Sequence, residues 1–177
     1  QTFTITGVDD SIADGDQQAT FTVGVVDASS ADAYDDVANQ SVTATNADNE
    51  TAGFSLSTTS VSVTEAGTTA EFTVVLDAEP AGDVVIRSSS SDSGEAQVGA
   101  PLTFTSSNWD TPQTFTITGV DDSIDDGDQQ ATFTVEVKDD ESHDAYDDVA
   151  NQSVTATTTD DDTVGFTLST TSVSVAE

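Results

Sequence analysis

Residues 119–130 read GVDDSIDDGDQQ, with five aspartates in the eight positions from Asp121 to Asp128. Residues 7–18 read GVDDSIADGDQQ, nearly the same. Carboxylates at this density have three ordinary uses: a solvated acidic face, a pair of catalytic groups with separated pKa values, or a hard-cation site. Ca²⁺ takes about six to eight oxygens from carboxylates, carbonyls and water, which loops can supply. Like charges this close suppress one another's ionisation unless a counter-ion is present. A salt-adapted surface would scatter its acids over all faces. Here the strand-like runs are almost free of them, Glu71 and Glu136 being among the few, and the loops concentrate them. The pattern therefore points to calcium. Neither common calcium loop fits: aligning Gly127 with the EF-hand glycine puts Ile124 at the third ligand position and Phe133 at the twelfth. Nor is there a glycine-rich nonapeptide. The site is expected to be assembled from several loops.

Composition limits what else the chain can do. Its 177 residues carry 34 acids against two bases, Arg87 and Lys138, with one histidine, His143, for a formal charge of −32. Self-repulsion at that charge disfavours the compact state and argues against nucleic acid, anionic membranes and acidic substrates as partners. There is no cysteine, hence no disulfide or thiolate site. No apolar run reaches membrane-spanning length, and no signal-peptide pattern opens the chain. Thr, Ser, Val and Ala dominate, the vocabulary of strands and turns.

The elements that must position the acids follow from an internal repeat. Residues 1–65 align without gaps on 113–177, an offset of 112, with 13 differences and 52 of 65 positions identical. Such a fixed offset indicates tandem units longer than solenoid repeats. The expected division is the C-terminal half of a preceding unit at 1–52, a complete unit at 53–164, and the first strand of a following unit at 165–177. The copies also test residues: His143 is matched by Ala31 and Lys138 by Val26, so the unit needs neither. With no nucleophile motif beside His143 and Asp144, the chain is not expected to be an enzyme.

Within 53–164, alternating runs predict strands A (54–63), B (70–77), C (83–89), D (102–106), E (113–120), F (131–138) and G (152–158). Phe104, Phe115, Ile117, Phe133 and Val135 recur at every second position, giving each strand one buried face. About seven short strands in this length predict an all-β, antiparallel Ig-like β-sandwich. If successive strands reverse, four acidic segments share one pole: the A–B loop with Glu65, the C–D loop with Asp92 and Glu95, the E–F loop, and the exit at Asp160–Asp162. Trp109 is expected to plug the opposite end of the core, and the threonine ladders are read as ordinary strand residues. The acids of the F–G loop, Asp139, Asp140, Asp144, Asp147 and Asp148, face the preceding unit's pole and either bridge to its ions or are solvated.

SVSVTEAG, then TFTITGVDDSIDDGD, then a closing DDD resemble a Calx-β domain, and LTFTSSNWDTPQTFTITGVDDSIDDGDQQATFTV resembles the repeats of giant bacterial surface adhesins. The resemblance covers the whole 112-residue unit. It implies calcium ligands at Glu65, Asp92, Asp121, Asp122, Asp126, Asp160, Asp161 and Asp162, with the backbone carbonyl of Ile124, and leaves Glu95 as a substitute for Asp92. In the preceding copy it implies Asp9, Asp10, Asp14, Asp48 and Glu50, with Asn49 at the same junction. Gly127 and Gln129 stand where exchanger-type members carry acids, which bears on the number of ions. The implied function is a calcium-stiffened spacer in a long extracellular, cell-surface adhesin or fibre, partnered by neighbouring repeats, Ca²⁺ and possible self-association. The alternatives are a glycan- or partner-binding sandwich module and a subunit of a self-assembling filament.

Overall fold

The computed structural model describes residues 1–34 and 36–177. Among the described residues there are eleven strands: β1 (Gln17–Val23), β2 (Gln40–Asn46), β3 (Phe54–Leu56), β4 (Ser60–Thr64), β5 (Thr69–Leu76), β6 (Val84–Ser90), β7 (Ala96–Val98), β8 (Leu102–Phe104), β9 (Gln113–Gly119), β10 (Gln129–Val137) and β11 (Gln152–Thr159). Among the described residues the only helical segments are single 3₁₀ turns, such as Asp144–Tyr146. None is long and apolar enough to cross a membrane.

β3 to β11 form a two-sheet sandwich. One sheet has the order β4-β11-β10-β6-β8 and the other β3-β5-β9-β7. The inward residues of both sheets make one core, with Phe72, Phe104, Phe115, Phe133, Ile86, Ile117 and Tyr146 buried. Alternation of apolar and polar residues along β5, β9, β10 and β11 produces this directly, since successive side chains take opposite faces. Trp109 packs against the core, as expected of a plug. Tyr146, also fully buried, donates its hydroxyl to the Ala78 carbonyl at 2.6 Å. Burial pushes its pKa up to about 12.

Three sequence expectations are corrected by strand pairing. Strand A is not continuous: β3 pairs antiparallel with β5 in one sheet, and β4 pairs parallel with β11 in the other. The chain crosses between sheets at residues 57–59. The C–D segment is not all loop, because β7 pairs with β9. The expected strands at 1–8 and 165–177 are irregular. Residues 1–8 are identical to 113–120, yet Phe115 is fully buried while Phe3 is 76% exposed. β9 is held by β5 and β7, and those strands lie in residues 66–112, which occur only once in the sequence. An isolated strand has no ladder for its backbone groups, so the same residues stay irregular without the partner. β1 and β2, copies of most of β10 and of β11, do retain each other, pairing from Gln17↔Asn46 to Val23↔Gln40.

Candidate metal centre

The four acidic segments do meet at one end of the sandwich, and backbone hydrogen bonds hold them there. The Glu65 N–H donates to the Thr159 carbonyl at 3.1 Å, tying the β4–β5 connection between the two sheets to the exit of β11. Val120 N–H donates to the Glu95 carbonyl at 2.9 Å, and Thr158 Oγ1 donates to the same oxygen at 3.2 Å. The β6–β7 loop is thus fixed to both β9 and β11. Gly119 makes the closest approach: its α-carbon lies so near the Thr64 carbonyl that a side chain would collide with backbone. Gly127 adopts φ 74°, the left-handed region that favours glycine. Its N–H donates to Asp160 Oδ2 at 2.7 Å, locking the β9–β10 loop onto the exit segment.

Around this frame the carboxylates converge. Ligand oxygens of Glu65, Asp161 and Asp162 lie within 4.8 Å of one another. Glu65 is only 1% exposed. Its Oε2 accepts the Asp161 N–H at 3.5 Å. Burial raises its pKa, and the charges of Asp160, Asp122 and Glu95 add to the rise against the Asp161 hydrogen bond. Glu95 is raised by burial, then by Asp126, Asp92, Asp122 and Asp160. Asp162 is raised by burial, then by Asp160, Asp161, Asp121 and Asp122. Asp160 goes the other way, because the N–H groups of Asp162 and Gly127 stabilise its charged form. Glu95 Oε2 and Asp162 Oδ2 are buried with no hydrogen-bond partner among the described residues. Buried carboxylate oxygens without a donor are costly unless a cation supplies the missing interaction. The donor set is oxygen only, which suits a hard cation such as calcium.

The candidates fare differently in detail. Glu65, Asp122, Asp126 and Asp160–Asp162 are part of this mutually interacting group, and Asp121 reaches it through Asp162. Asp92 Oδ1 is spent on its own turn, accepting the Gly94 N–H at 2.9 Å. Glu95 differs from it in having a buried oxygen, Oε2, with no hydrogen-bond partner among the described residues. The Ile124 carbonyl accepts the Asp126 N–H at 2.9 Å, and its side chain is 60% exposed. Asp128, which the ligand set omitted, accepts the Asp160 N–H at 3.3 Å. Its persistence in both copies as Asp16 and Asp128 was the available signal.

The earlier copy builds a comparable cleft lined by Asp9, Asp10, Asp14, Asp48, Asn49 and Glu50. Asp48 Oδ2 accepts the N–H groups of Gly15 at 2.6 Å and Asp14 at 3.1 Å, as Asp160 does for Gly127. The Glu50 N–H and then the Gly15 N–H hold the Asp48 carboxyl below its usual range. Burial, then Asp48 itself, raises Glu50. The F–G acids stay outside both groups, and Asp147 is raised by burial and by its own neighbours Asp139, Asp144 and Asp148.

No protein-family model matches the chain, and no curated protein matches it. Solved structures with a similar arrangement include the apo form of the Calx CBD1 domain, at TM-score 0.46 and 17% identity, over 64% of this chain and 100% of that one. A PapD-like domain of human CEP192 gives TM-score 0.44 and 15% identity, over 63% and 87%. Domains 1–6 of the surface layer protein SbsC give 0.45 and 16%, over 84% of this chain and 17% of that one.

Proposed function

We propose that this chain is a calcium-stiffened structural spacer from a long extracellular adhesin or surface fibre, built of Calx-β-like repeats. The observation that carries the reading is the buried Glu65 carboxylate, set among Glu95, Asp122 and Asp160–Asp162 with no basic side chain near it. Both salt bridges among the described residues, Arg87–Glu136 and Lys138–Glu141, lie elsewhere. Glu65, Glu95, Asp122, Asp126 and Asp160–Asp162 would hold the ion, and the bound charge would offset repulsion among them. Because the ligands come from four separate segments, binding would stitch the sandwich pole to the strand exit and so stiffen the passage to the next unit. Two copies in one chain suit a mechanical element better than a specific recognition site.

The test is melting and small-angle scattering of the 177-residue chain with calcium and with chelator. Calcium is expected to raise the melting temperature and straighten the particle, because an ion that binds the folded form alone stabilises it. Unchanged melting and shape on chelation would sink the proposal.

A further inference from the structure

The two acidic loops have the same local shape but different surroundings. In the earlier copy the Asp10 carboxylate accepts the Ile12 N–H at 2.9 Å, and the Asp14 N–H returns to the Ile12 carbonyl at 3.0 Å. In the later copy Asp122 accepts from Ile124 at 2.7 Å, and Asp126 returns to Ile124 at 2.9 Å. Each loop is therefore shaped by its own turn. Yet Ile12 is half-buried and Ala13 only 5% exposed, while Ile124 and Asp125 are exposed.

The difference is a joint. Ile12 and Glu79 form an isolated parallel bridge. Glu79 N–H donates to the Ser11 carbonyl at 2.8 Å, and Ala13 N–H donates to the Glu79 carbonyl at 3.1 Å. The receiving turn between β5 and β6 is braced from behind, since the neighbouring Ala78 carbonyl takes the Tyr146 hydroxyl and Ala78 is itself buried. The loop presents one strand-like residue, and the turn offers one matching donor and acceptor.

We infer that Ser123–Asp125 is the docking strand for a further copy of the Ala78–Pro80 turn, and that the residue at 13 or 125 decides how tightly such a joint closes. The occupant is a segment of a following repeat, whose opening strand is legible at 165–177, identical to 53–65 at all but two positions. Alanine at 13 brings only a methyl group, so the loop seats on the turn and buries it. Aspartate at 125 brings a carboxylate to the same place, opposite the copy of Glu79. Its Oδ2 instead accepts the Val164 N–H at 2.6 Å, holding its own exit segment. The matching residue in the earlier copy, Ala52, packs against the sandwich core. Closed alanine joints and looser aspartate joints then come from one substitution in otherwise like repeats.

The inference rests on the repeat-array part of the proposed function and is independent of its calcium part. It is tested in the 177-residue chain by amide hydrogen exchange, with the Glu79 N–H as reporter. In the parent, the Glu79 and Ala13 amides are expected to exchange roughly tenfold more slowly than the Asp125 amide after correction for intrinsic rates. Ala13→Asp is expected to abolish the Glu79 protection, and Ala13→Ser to keep it, while the core amides of β10 and β11 stay protected in both. An unprotected Glu79 amide in the parent, or protection undiminished in Ala13→Asp, overturns it. Melting of the same samples with and without calcium reads the proposed function separately.

Discussion

Glu65→Gln separates a calcium ligand from a merely buried polar group, because the two predict opposite signs in two conditions. Glutamine keeps the shape and the acceptor for the Asp161 N–H but removes the charge. Without metal, the Glu65 carboxylate is held above its normal pKa by burial and by Asp160, Asp122 and Glu95, so its ionised form destabilises the fold at neutral pH. Removing the charge is expected to raise the metal-free melting temperature. With calcium the order reverses. Free calcium at about a hundred times Kd stabilises the folded form by about 2.7 kcal/mol. For a sandwich of this size that is on the order of 10 °C. Loss of one buried carboxylate ligand that weakens binding about a hundredfold leaves roughly 0.4 kcal/mol, or about 2 °C, at the same calcium concentration. Differential scanning calorimetry of parent and variant, each in calcium and in chelator, gives all four values. Glu71→Gln, on the exposed face of β5, controls for removal of one charge and should keep the full calcium increment. An equal calcium increment in Glu65→Gln and parent would refute the argument, as would a metal-free variant less stable than the parent.

In metal-free protein, acidification from neutral pH is expected to stabilise the fold until about pH 4.5, because protonation of Glu65, Glu95 and Asp162, all raised, relieves their destabilising charge. Below about 3.8 the trend reverses, since Asp160 and Asp48 have lowered values and their contribution is lost as pH falls through them. A melting profile in chelator that rises steadily from pH 4 to 8 would contradict the first sign, and one that goes on rising as pH falls below about 3.8 would contradict the second. Tyr146→Phe removes a buried hydroxyl bonded at 2.6 Å and orphans the Ala78 carbonyl. The expected cost is about 1–2 kcal/mol by denaturant titration, with the calcium increment unchanged. Gly119→Ala forces a methyl into the Thr64 backbone and should cost about 1–3 kcal/mol or more. Gly7→Ala meets only the movable Asn46 amide and should melt within a degree or two of the parent.

Much of this architecture was legible in the sequence because period and partner agreed. The alternation in TFTIT and ATFTVEV set which residues face inward, and strand reversal alone placed Glu65, Asp122 and Asp160 at a common pole. Three things were not legible. The break between Leu56 and Ser60 depends on two different sheets claiming the two ends of one run, which no local pattern records. The short β7 hides in a polar loop because only Ala96 and Val98, either side of Gln97, turn toward the core. The difference between Glu95 and Asp92 depends on which carboxylate the Ser90–Gly94 turn consumes, a matter of side-chain direction rather than spacing.

The two copies also sharpen what the acidity is for. A salt-adapted surface explains carboxylates that water can reach, and Asp125, Asp139 and Asp140 are of that kind. It does not explain Glu65. A solvated face gains from exposed charge, yet this carboxylate is buried at the β4–β5 connection, and burial and then its acidic neighbours raise its pKa. Nor does packing explain it, because beside the same residue Glu95 and Asp162 carry buried oxygens with no donor among the described residues. An apolar side chain would fill that space at lower cost. Like charges crowded around oxygens that lack partners are relieved either by protonation or by a positive charge among them. Arg87 and Lys138 are already paired with Glu136 and Glu141 on another part of the sandwich. The sequence carries no other Lys or Arg to bring that charge, and an all-oxygen pole has the chemistry that suits a hard cation from solution.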